Sequence, residues 1–260
     1  MTKGIWTRET VALMLMAAYM PMAILWLWFG GTVAIQRLSV AALVLAFWNF
    51  SFLLVRAQPI SLSVVVTAFA IAMLAPEDLG MFRLVLGISF GAVFGELVFG
   101  GWGRNVVNPA TVALSFLGFG FPGFDWPDFS APMIWAAFAA ALIGGVTGIL
   151  PISVLASAAL VAAGAVAADL LPSAALPAVG TVLVVLVADP VTSATTLLGR
   201  LLNGALYAGL VILFAAGWHG AAPVQYAVAA ALLTSLAAPL LDEVALAFWY
   251  AKRRRRHGRS

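Results

Sequence analysis

Two short strings of the chain carry residue types that could bind an ion or a polar ligand. They are NPATVALSFLG, which begins at Asn108, and DPVTSATTLLG, which begins at Asp189. Asn or Asp followed by Pro is typical of a helix start, because the side chain accepts from a free backbone N–H and Pro suits the first helical position. Each string also has a threonine three residues later, Thr111 and Thr192. Two opposed helix starts would concentrate partial positive charge, which suits an anion, a carbonyl or a phosphate.

These strings lie in a very apolar chain. Of its 260 residues, 64% are hydrophobic and only 9% are charged, which is far from the composition of a soluble domain. We therefore expect an integral membrane protein, in which a helix break at depth must border protein or water. Asp189 is the strongest single candidate, because an ionisable side chain in such surroundings is functional by default. A capping role is compatible with that function.

Further candidates surround the two strings. Gly100, Gly101 and Gly103 permit positive φ, which allows either close approach of a ligand or close packing of helices, and the sequence leaves both open. Glu96 is a weaker candidate, and so is the adjacent pair Asp242 and Glu243 near the end of the chain. These side chains could instead face lipid headgroups. The remaining residues of the predicted cofactor-binding or ion-conducting site are Asn105, Thr195 and Arg200. The arginine could neutralise an anionic ligand or extend to the membrane interface.

Several kinds of chemistry are excluded by composition. The chain has no cysteine and only two histidines, so iron–sulfur clusters, thiol chemistry and a bis-histidine haem are not expected. No catalytic triad, metal-ligand set or pair of hydrolytic carboxylates can be assembled, so we assign no catalytic and no metal-binding residues. The basic run KRRRR at 252–256 is interpreted as a cytoplasmic anchor that obeys the positive-inside rule, and no nucleic acid is expected as a partner.

The apolar stretches number ten. Basic residues, Lys3 and Arg8 before the first stretch and the KRRRR run after the last, place both termini in the cytoplasm and make the number of crossings even. The stretches lie at about 10–30, 37–55, 60–75, 82–100, 108–120, 131–149, 151–168, 174–188, 197–217 and 223–250.

The two Pro strings indicate an internal repeat. Five of their eleven positions are identical, at a separation of 81 residues. Each copy would hold five segments, an odd number, so the second copy would enter the membrane in the opposite orientation. We predict a single transmembrane domain over 1–260, with repeats at about 10–120 and 131–250 and a basic cytoplasmic tail at 251–260. The alternative is that the strings are only kinks in packed helices.

Four strings together resemble the RnfD/NqrB family of membrane subunits. They are LAPEDLGMFRLVLG, FGGWGRNVVNPA, ADPVTSATTLLGRLLNGAL and, more loosely, YAVAAALLTSLAAPLLD. The resemblance implies an all-α protein of about ten transmembrane helices in two inverted halves with interrupted helices, the scaffold of urea-transporter-like channels. It also implies a bacterial inner-membrane location and a role in redox-linked ion movement within a larger complex.

The resemblance bears on cofactors as well. Family members typically carry FMN linked to a threonine in a long segment after the first Asn-Pro helix, and here the matching segment, Phe121–Ser130, has no threonine. Covalent FMN is therefore not expected, and the cofactor expected is non-covalent FMN, riboflavin or a quinone. Gly100 and Gly101 correspond to the family's Gly-Gly near its proposed quinone site. The chain would at most position a cofactor, while partner subunits supply electrons.

Two other functions remain open at this point. A structural or assembly subunit would need only small-residue and tryptophan-rich packing faces. A stand-alone channel or carrier for an ion or small solute would select its substrate by pore lining and helix dipoles.

Overall fold

The architecture was analysed in a computed structural model, which describes residues 7–57 and 61–257; of Lys252 and residues 254–257 only the backbone is described. Lys3 and positions 258–260 of the predicted tail lie outside the described residues. Nine α-helices account for most of the described chain, which contains no strand. They are α1 (Arg8–Arg56), α2 (Ser63–Leu74), α3 (Gly80–Gly95), α4 (Pro109–Gly120), α5 (Pro132–Val146), α6 (Ile152–Ala167), α7 (Leu176–Val182), α8 (Leu197–Gly217) and α9 (Pro223–His257).

Four of the helical segments in the described chain are long and apolar enough to cross a membrane, namely Arg8–Arg56, Gly80–Phe99, Leu197–Gly217 and Pro223–Ala251. The other helices are shorter but equally apolar. Large apolar side chains on the outside are well exposed, for example Trp28 at 79% and Phe82 at 78%. Such a surface is stable in lipid but not in water. The chain is a multi-pass membrane protein whose described part is helical, as the sequence predicts.

Helix α1 is broken at Gly31, where φ is 52° and ψ is −134°. An unbroken helix of 49 residues would be about 74 Å long, more than twice the roughly 30 Å hydrocarbon core. The two arms run in opposite directions along α2. Glu9 in the first arm accepts from the Leu62 N–H at the start of α2, whereas Arg37 in the second arm donates to the Ala75 carbonyl at its end. The predicted stretches 10–30 and 37–55 therefore form a helical hairpin.

Two short helices form the centre of the bundle. In α2, nine of twelve residues are buried. Helix α7 continues directly into a π-helix, Leu183–Val187, all of whose residues are buried. A π-helix leaves the regular hydrogen-bond ladder, and such segments are frequent at functional sites. The most extensive helix pairings are α3 with α4, α8 with α9, α6 with α8 and α1 with α2.

One predicted helix start is wrong. Helix α4 begins at Pro109, as expected, but no helix begins after Asp189; residues 190–196 form turns and α8 begins at Leu197. The reason is that the N–H and hydroxyl groups of Thr195 and Thr196 donate to the Asp242 carboxylate of α9, at 2.6–2.9 Å. Those groups are therefore held by a side chain from elsewhere in the chain, and Thr196 caps α8 instead.

Candidate functional site

Asn108 and Asp189 lie in direct contact at the centre of the bundle. The Asn108 Oδ1 accepts from the Ala110 N–H at 2.9 Å, which caps α4. This bond fixes the orientation of the amide, so that its Nδ2 donates to the Asp189 Oδ2 at 3.1 Å. The sequence predicts that these two residues begin two opposed helices at a common space; their side chains do meet through this hydrogen bond, but only Asn108 begins a helix.

The Asp189 carboxylate is buried and is held by neutral donors. Its side chain is 4% exposed. Its Oδ1 accepts from the Val191 N–H at 3.2 Å, and its Oδ2 also accepts from the Thr192 hydroxyl at 3.0 Å. Asp189 therefore stabilises a turn of its own loop, and does not cap a helix. Hydrogen bonds of this kind offset part of the cost of removing a carboxylate from water.

A second buried carboxylate, Glu96, lies near the first. It is 5% exposed and follows the end of α3, with φ −133° and ψ −58°. The Trp102 backbone N–H lies near its carboxylate, which is also close enough to interact electrostatically with Asp189. The sequence identified Glu96 only as a weak candidate, because nothing local shows that a loop 93 residues further on approaches it.

The glycine-rich segment forms the turn that closes over Glu96. Gly100, Gly101 and Gly103 have backbone φ angles of 101°, 89° and 91°, which residues with a Cβ atom rarely adopt. The Gly101 N–H donates to the Glu96 carbonyl at 3.2 Å. Asn105 links the next residues, because its Oδ1 accepts from Gly103 and its Nδ2 donates to the Val107 carbonyl. In the described chain these glycines serve a tight turn, and Asn105 stabilises that turn.

A small cavity lies beside Asn108 and Asp189. Its polar lining includes Tyr19, Ser63, Thr67, Asn108 and Asp189. Its volume is about 10 Å³, which is close to the space that one water molecule needs. The Tyr19 hydroxyl donates to the Val184 carbonyl in the π-helix at 3.1 Å.

Hydroxyl groups in this region lack partners. The buried Oγ of Ser63, which lines the cavity, and the buried Oγ1 of Thr111 accept and donate no hydrogen bond within the described residues. Oxygen atoms from carboxylates, hydroxyls and amides are the ligands that hard cations prefer. No group of three or more His, Cys, Asp or Glu side chains suited to a metal occurs in the described part of the chain.

Two of the predicted site residues lie elsewhere. Thr195 is bound to Asp242, and Arg200 donates from Nε to the Ala194 carbonyl at 3.1 Å. Arg200 lines a different pocket, described below. Sequence reasoning did not identify Tyr19 or Ser63, and no local pattern distinguishes them from ordinary packing residues.

The short segment between α4 and α5 folds onto the bundle. The Glu77 N–H donates to the Asp125 carbonyl at 2.9 Å, and Trp126 and Phe129 are buried. The Arg83 guanidinium lies 4.8 Å from the centroid of the Phe124 ring, within the range of a cation–π contact. No threonine is present in this segment, so it does not fit a flavin attached through threonine.

Comparison with known proteins connects these features to a family. A family model described as "NQR2, RnfD, RnfE family" matches residues 3–148, which is more than half of the chain. Among curated proteins, a subunit of the Na(+)-translocating NADH-quinone reductase of Yersinia pestis is 35% identical over 115 residues, 44% of this chain and 26% of that protein. The equivalent reductase subunit of Klebsiella pneumoniae (strain 342) is 36% identical over 111 residues, which is 43% of this chain and 25% of that protein. The equivalent subunit of Ectopseudomonas mendocina is 33% identical over 119 residues, which is 46% of this chain and 27% of that protein. The chain thus spans about a quarter of the length of the curated relatives it matches.

Proposed function

The chain belongs to the NQR2, RnfD, RnfE family, and we propose from this premise that it is a membrane subunit of an ion-translocating electron-transport complex. Its own task in that complex is to bind a monovalent cation at the buried carboxylates Glu96 and Asp189. The cation is the cargo of the complex. Sodium is the cargo proposed, in keeping with the names of the similar proteins.

The observation that carries this proposal is the pair of carboxylates itself. Both side chains are at most 5% exposed, and they lie close enough to interact. Two negative charges that approach one another away from water repel strongly, and the donors found for Asp189 are neutral. A cation between them removes the repulsion. The hydrogen bonds to Asp189 offset part of the cost of burial, and a bound ion would offset more of it.

The cavity supports a small ion. It has about the size of one water molecule, and the unpartnered Ser63 hydroxyl offers an additional oxygen. An ion without its hydration shell could be bound there by Asp189 and Ser63, together with the Asn108 side chain at the start of α4, while Glu96 would act on it through its charge from outside the cavity lining. Thr192 positions the Asp189 carboxylate through its hydrogen bond.

The inverted repeat is part of the proposal. Helices α3 and α4 form one closely packed pair and α8 and α9 form another, and α2 contacts α4 as α7 contacts α9. Pro109 and Pro223, which begin α4 and α9, would then be equivalent. On this scheme repeat 1 covers about 10–120 and repeat 2 about 131–250, within one transmembrane domain. On this scheme Asn108 and Asp189 occupy different positions of their repeats, so the proposed repeat is supported by the helix pairings and not by the similarity of the two Pro strings. We place the termini and the basic tail in the cytoplasm, at a bacterial inner membrane.

Partners and cofactors complete the proposal. Other membrane subunits would supply electrons, since the chain offers neither cysteine nor the threonine segment for a covalent flavin. A quinone or a non-covalent flavin, if bound, would contact the glycine turn at Gly100–Gly103, where the backbone of Gly103 is exposed and Arg104 follows. Such a group would supply the redox chemistry, and the residues of this chain would bind and orient it.

The test uses the complex purified from the membrane with this chain in place. Electron transfer from NADH to a quinone is measured against sodium concentration for Asp189→Asn, Glu96→Gln and, as control, Asp169→Asn, whose side chain is exposed in a loop. We expect the sodium concentration for half-maximal rate to rise at least about tenfold in the first two variants, a loss of about 1.4 kcal/mol in binding. The control should match the wild type.

Unchanged sodium dependence in both variants would reject the cation site and favour a structural subunit. Sodium flux through liposomes that contain this chain alone would instead indicate a stand-alone channel.

A further inference from the structure

A second polar pocket lies near the start of α8, apart from the Glu96 and Asp189 site. Its volume is about 530 Å³, and it is enclosed by the turn between α5 and α6 and by the loop before α8. Its polar side chains are Ser153, Ser193 and Arg200. Arg200 is in the first turn of α8, a helix of spanning length, so the pocket is expected to lie at the depth of lipid headgroups.

The pocket adjoins an apolar groove between α5, α6 and α7. Gly145 and Ile152 line both spaces, so the two lie side by side. The groove has a volume of about 350 Å³, within the ~300–1,000 Å³ range of small-molecule sites. Small residues such as Ala137, Ala141 and Gly180 line it. At its rim, Phe138 and Val146 are 62% and 80% exposed, so the groove opens on the side that faces lipid.

The polar end is suited to an anion. Within the described residues only the Nε of Arg200 has a hydrogen-bond partner, the Ala194 carbonyl, and this leaves the terminal guanidinium nitrogens available. The Ser193 side chain is 9% exposed, and its Oγ makes no hydrogen bond to any described residue. Helix α6 begins at Ile152 without a side-chain cap, so the N–H groups of its first turn are directed toward this end. Arginine, hydroxyl and helix-start N–H groups together are typical of phosphate binding.

We propose that this composite site binds one anionic glycerophospholipid. The phosphate is bound by Arg200 and Ser193 at the start of α6, and one acyl chain lies in the groove between α5, α6 and α7. Charge complementarity at one end and a lipid-facing apolar groove at the other favour an amphiphile over a free anion or a partner helix. The proposal does not depend on the function proposed above.

The test is lipid titration of the full-length protein in mild detergent, followed by native mass spectrometry. Phosphatidylglycerol and phosphatidylcholine with the same acyl chains are the two probes. We expect the wild type to retain one phosphatidylglycerol in preference to phosphatidylcholine. Arg200→Gln should weaken phosphatidylglycerol binding about tenfold. Ser193→Ala should weaken it to a smaller extent, and it serves as a second variant if the first does not fold.

A matched control and a groove variant make the result specific. Arg83→Gln removes an arginine that stacks on Phe124 far along the chain from the pocket, and it should leave lipid binding unchanged. Ala156→Phe fills the groove from an exposed position of α6 and should weaken binding of the long-chain lipid. It should leave binding of inorganic phosphate unaffected.

Two results would overturn the proposal. One is phosphatidylglycerol binding that Arg200→Gln does not change. The other is an effect of Arg200→Gln on inorganic phosphate together with no effect of Ala156→Phe on the lipid, which would identify an anion site without an acyl chain.

Discussion

The Nδ2 of Asn108 donates to the Oδ2 of Asp189 across 81 positions of sequence, at 3.1 Å. This bond joins the start of α4 to the loop that follows the π-helix. Each partner is also fixed locally, Asn108 by the Ala110 N–H and Asp189 by Val191 and Thr192. The position of the buried carboxylate is therefore fixed both by Asn108 and by its own loop. Loss of any one hydrogen-bond donor should lower the stability of the protein measurably.

Thr192→Val should destabilise the protein. Valine keeps the shape of threonine but removes the hydroxyl that donates to Asp189, and a hydrogen bond to a charged group contributes about 1.5–3 kcal/mol. Thermal unfolding in detergent, followed by circular dichroism, measures the loss. Thr147→Val is the control, since that exposed hydroxyl bonds only to carbonyls of its own helix. Equal stability of the two variants would mean that the hydroxyl of Thr192 contributes nothing to the site.

Replacement of two glycines of α8 by alanine should change the stability of the protein in opposite directions. A Cβ at Gly204 would overlap the Val154 carbonyl and the Ser157 hydroxyl of α6, whereas a Cβ at Gly209 would meet nothing within 4 Å. We expect Gly204→Ala to lose about 1–3 kcal/mol through overpacking. Gly209→Ala should gain up to about 1 kcal/mol through helix propensity. The same unfolding measurement compares them, and similar stabilities would contradict close contact between α6 and α8.

Asp242→Asn should loosen the loop before α8. The carboxylate accepts four hydrogen bonds from Thr195 and Thr196, and an amide side chain can accept at only one of its two terminal atoms. We expect proteolysis within 190–196 to become faster, with a loss of about 1–3 kcal/mol in stability. Glu243→Gln, a change at the next residue along α9, should leave both quantities unchanged. Protection of the loop in Asp242→Asn would show that the threonines are ordered by other contacts.

Arg37→Met should destabilise the end of α2. The guanidinium donates from one nitrogen to the carbonyls of Ala75 and Pro76, which follow the last turn of that helix. Methionine keeps the apolar stem and removes the charge, so we expect a loss of about 1–3 kcal/mol. Hydrogen exchange at the last turn of α2 should also accelerate. Arg56→Met changes an exposed arginine of the same helix α1 and should have little effect.

Much of the fold follows from apolar patterning. Each of the ten apolar stretches contains a helical segment, and the cap at Asn108 was predictable because Asn-Pro acts on its own neighbours. The loop after Asp189 was not predictable from the same pattern. Its backbone donors are bound by Asp242, 47 residues from Thr195, and only tertiary structure brings that carboxylate to them.

In the candidate site, too, some residues could be identified from the sequence and others only from the tertiary structure. Asn108 and Asp189 could be identified because their side chains are polar in an apolar context, and the structure brings them together. Glu96 has similar chemistry, but its proximity to Asp189 depends on the turn at Gly100–Gly103 and on the packing of α3 against α4. For Arg200 the sequence leaves open a ligand role or an interfacial one, because its pocket is formed by α5, α6 and the loop before α8.

Near Asn108, main chain of α3 lies directly against main chain of α4. Gly91 and Gly95 lie against Pro109, so closely that a Cβ at Gly91 would come within 2.6 Å of the Pro109 carbonyl oxygen. The position of Asn108 in the bundle is thus fixed by backbone contacts of Gly91 and Gly95 with Pro109. During evolution, residues on the lipid side of both helices should therefore vary in size without displacing the amide, whereas the two glycines should be retained. A comparison of homologous sequences should show this difference in substitution rate.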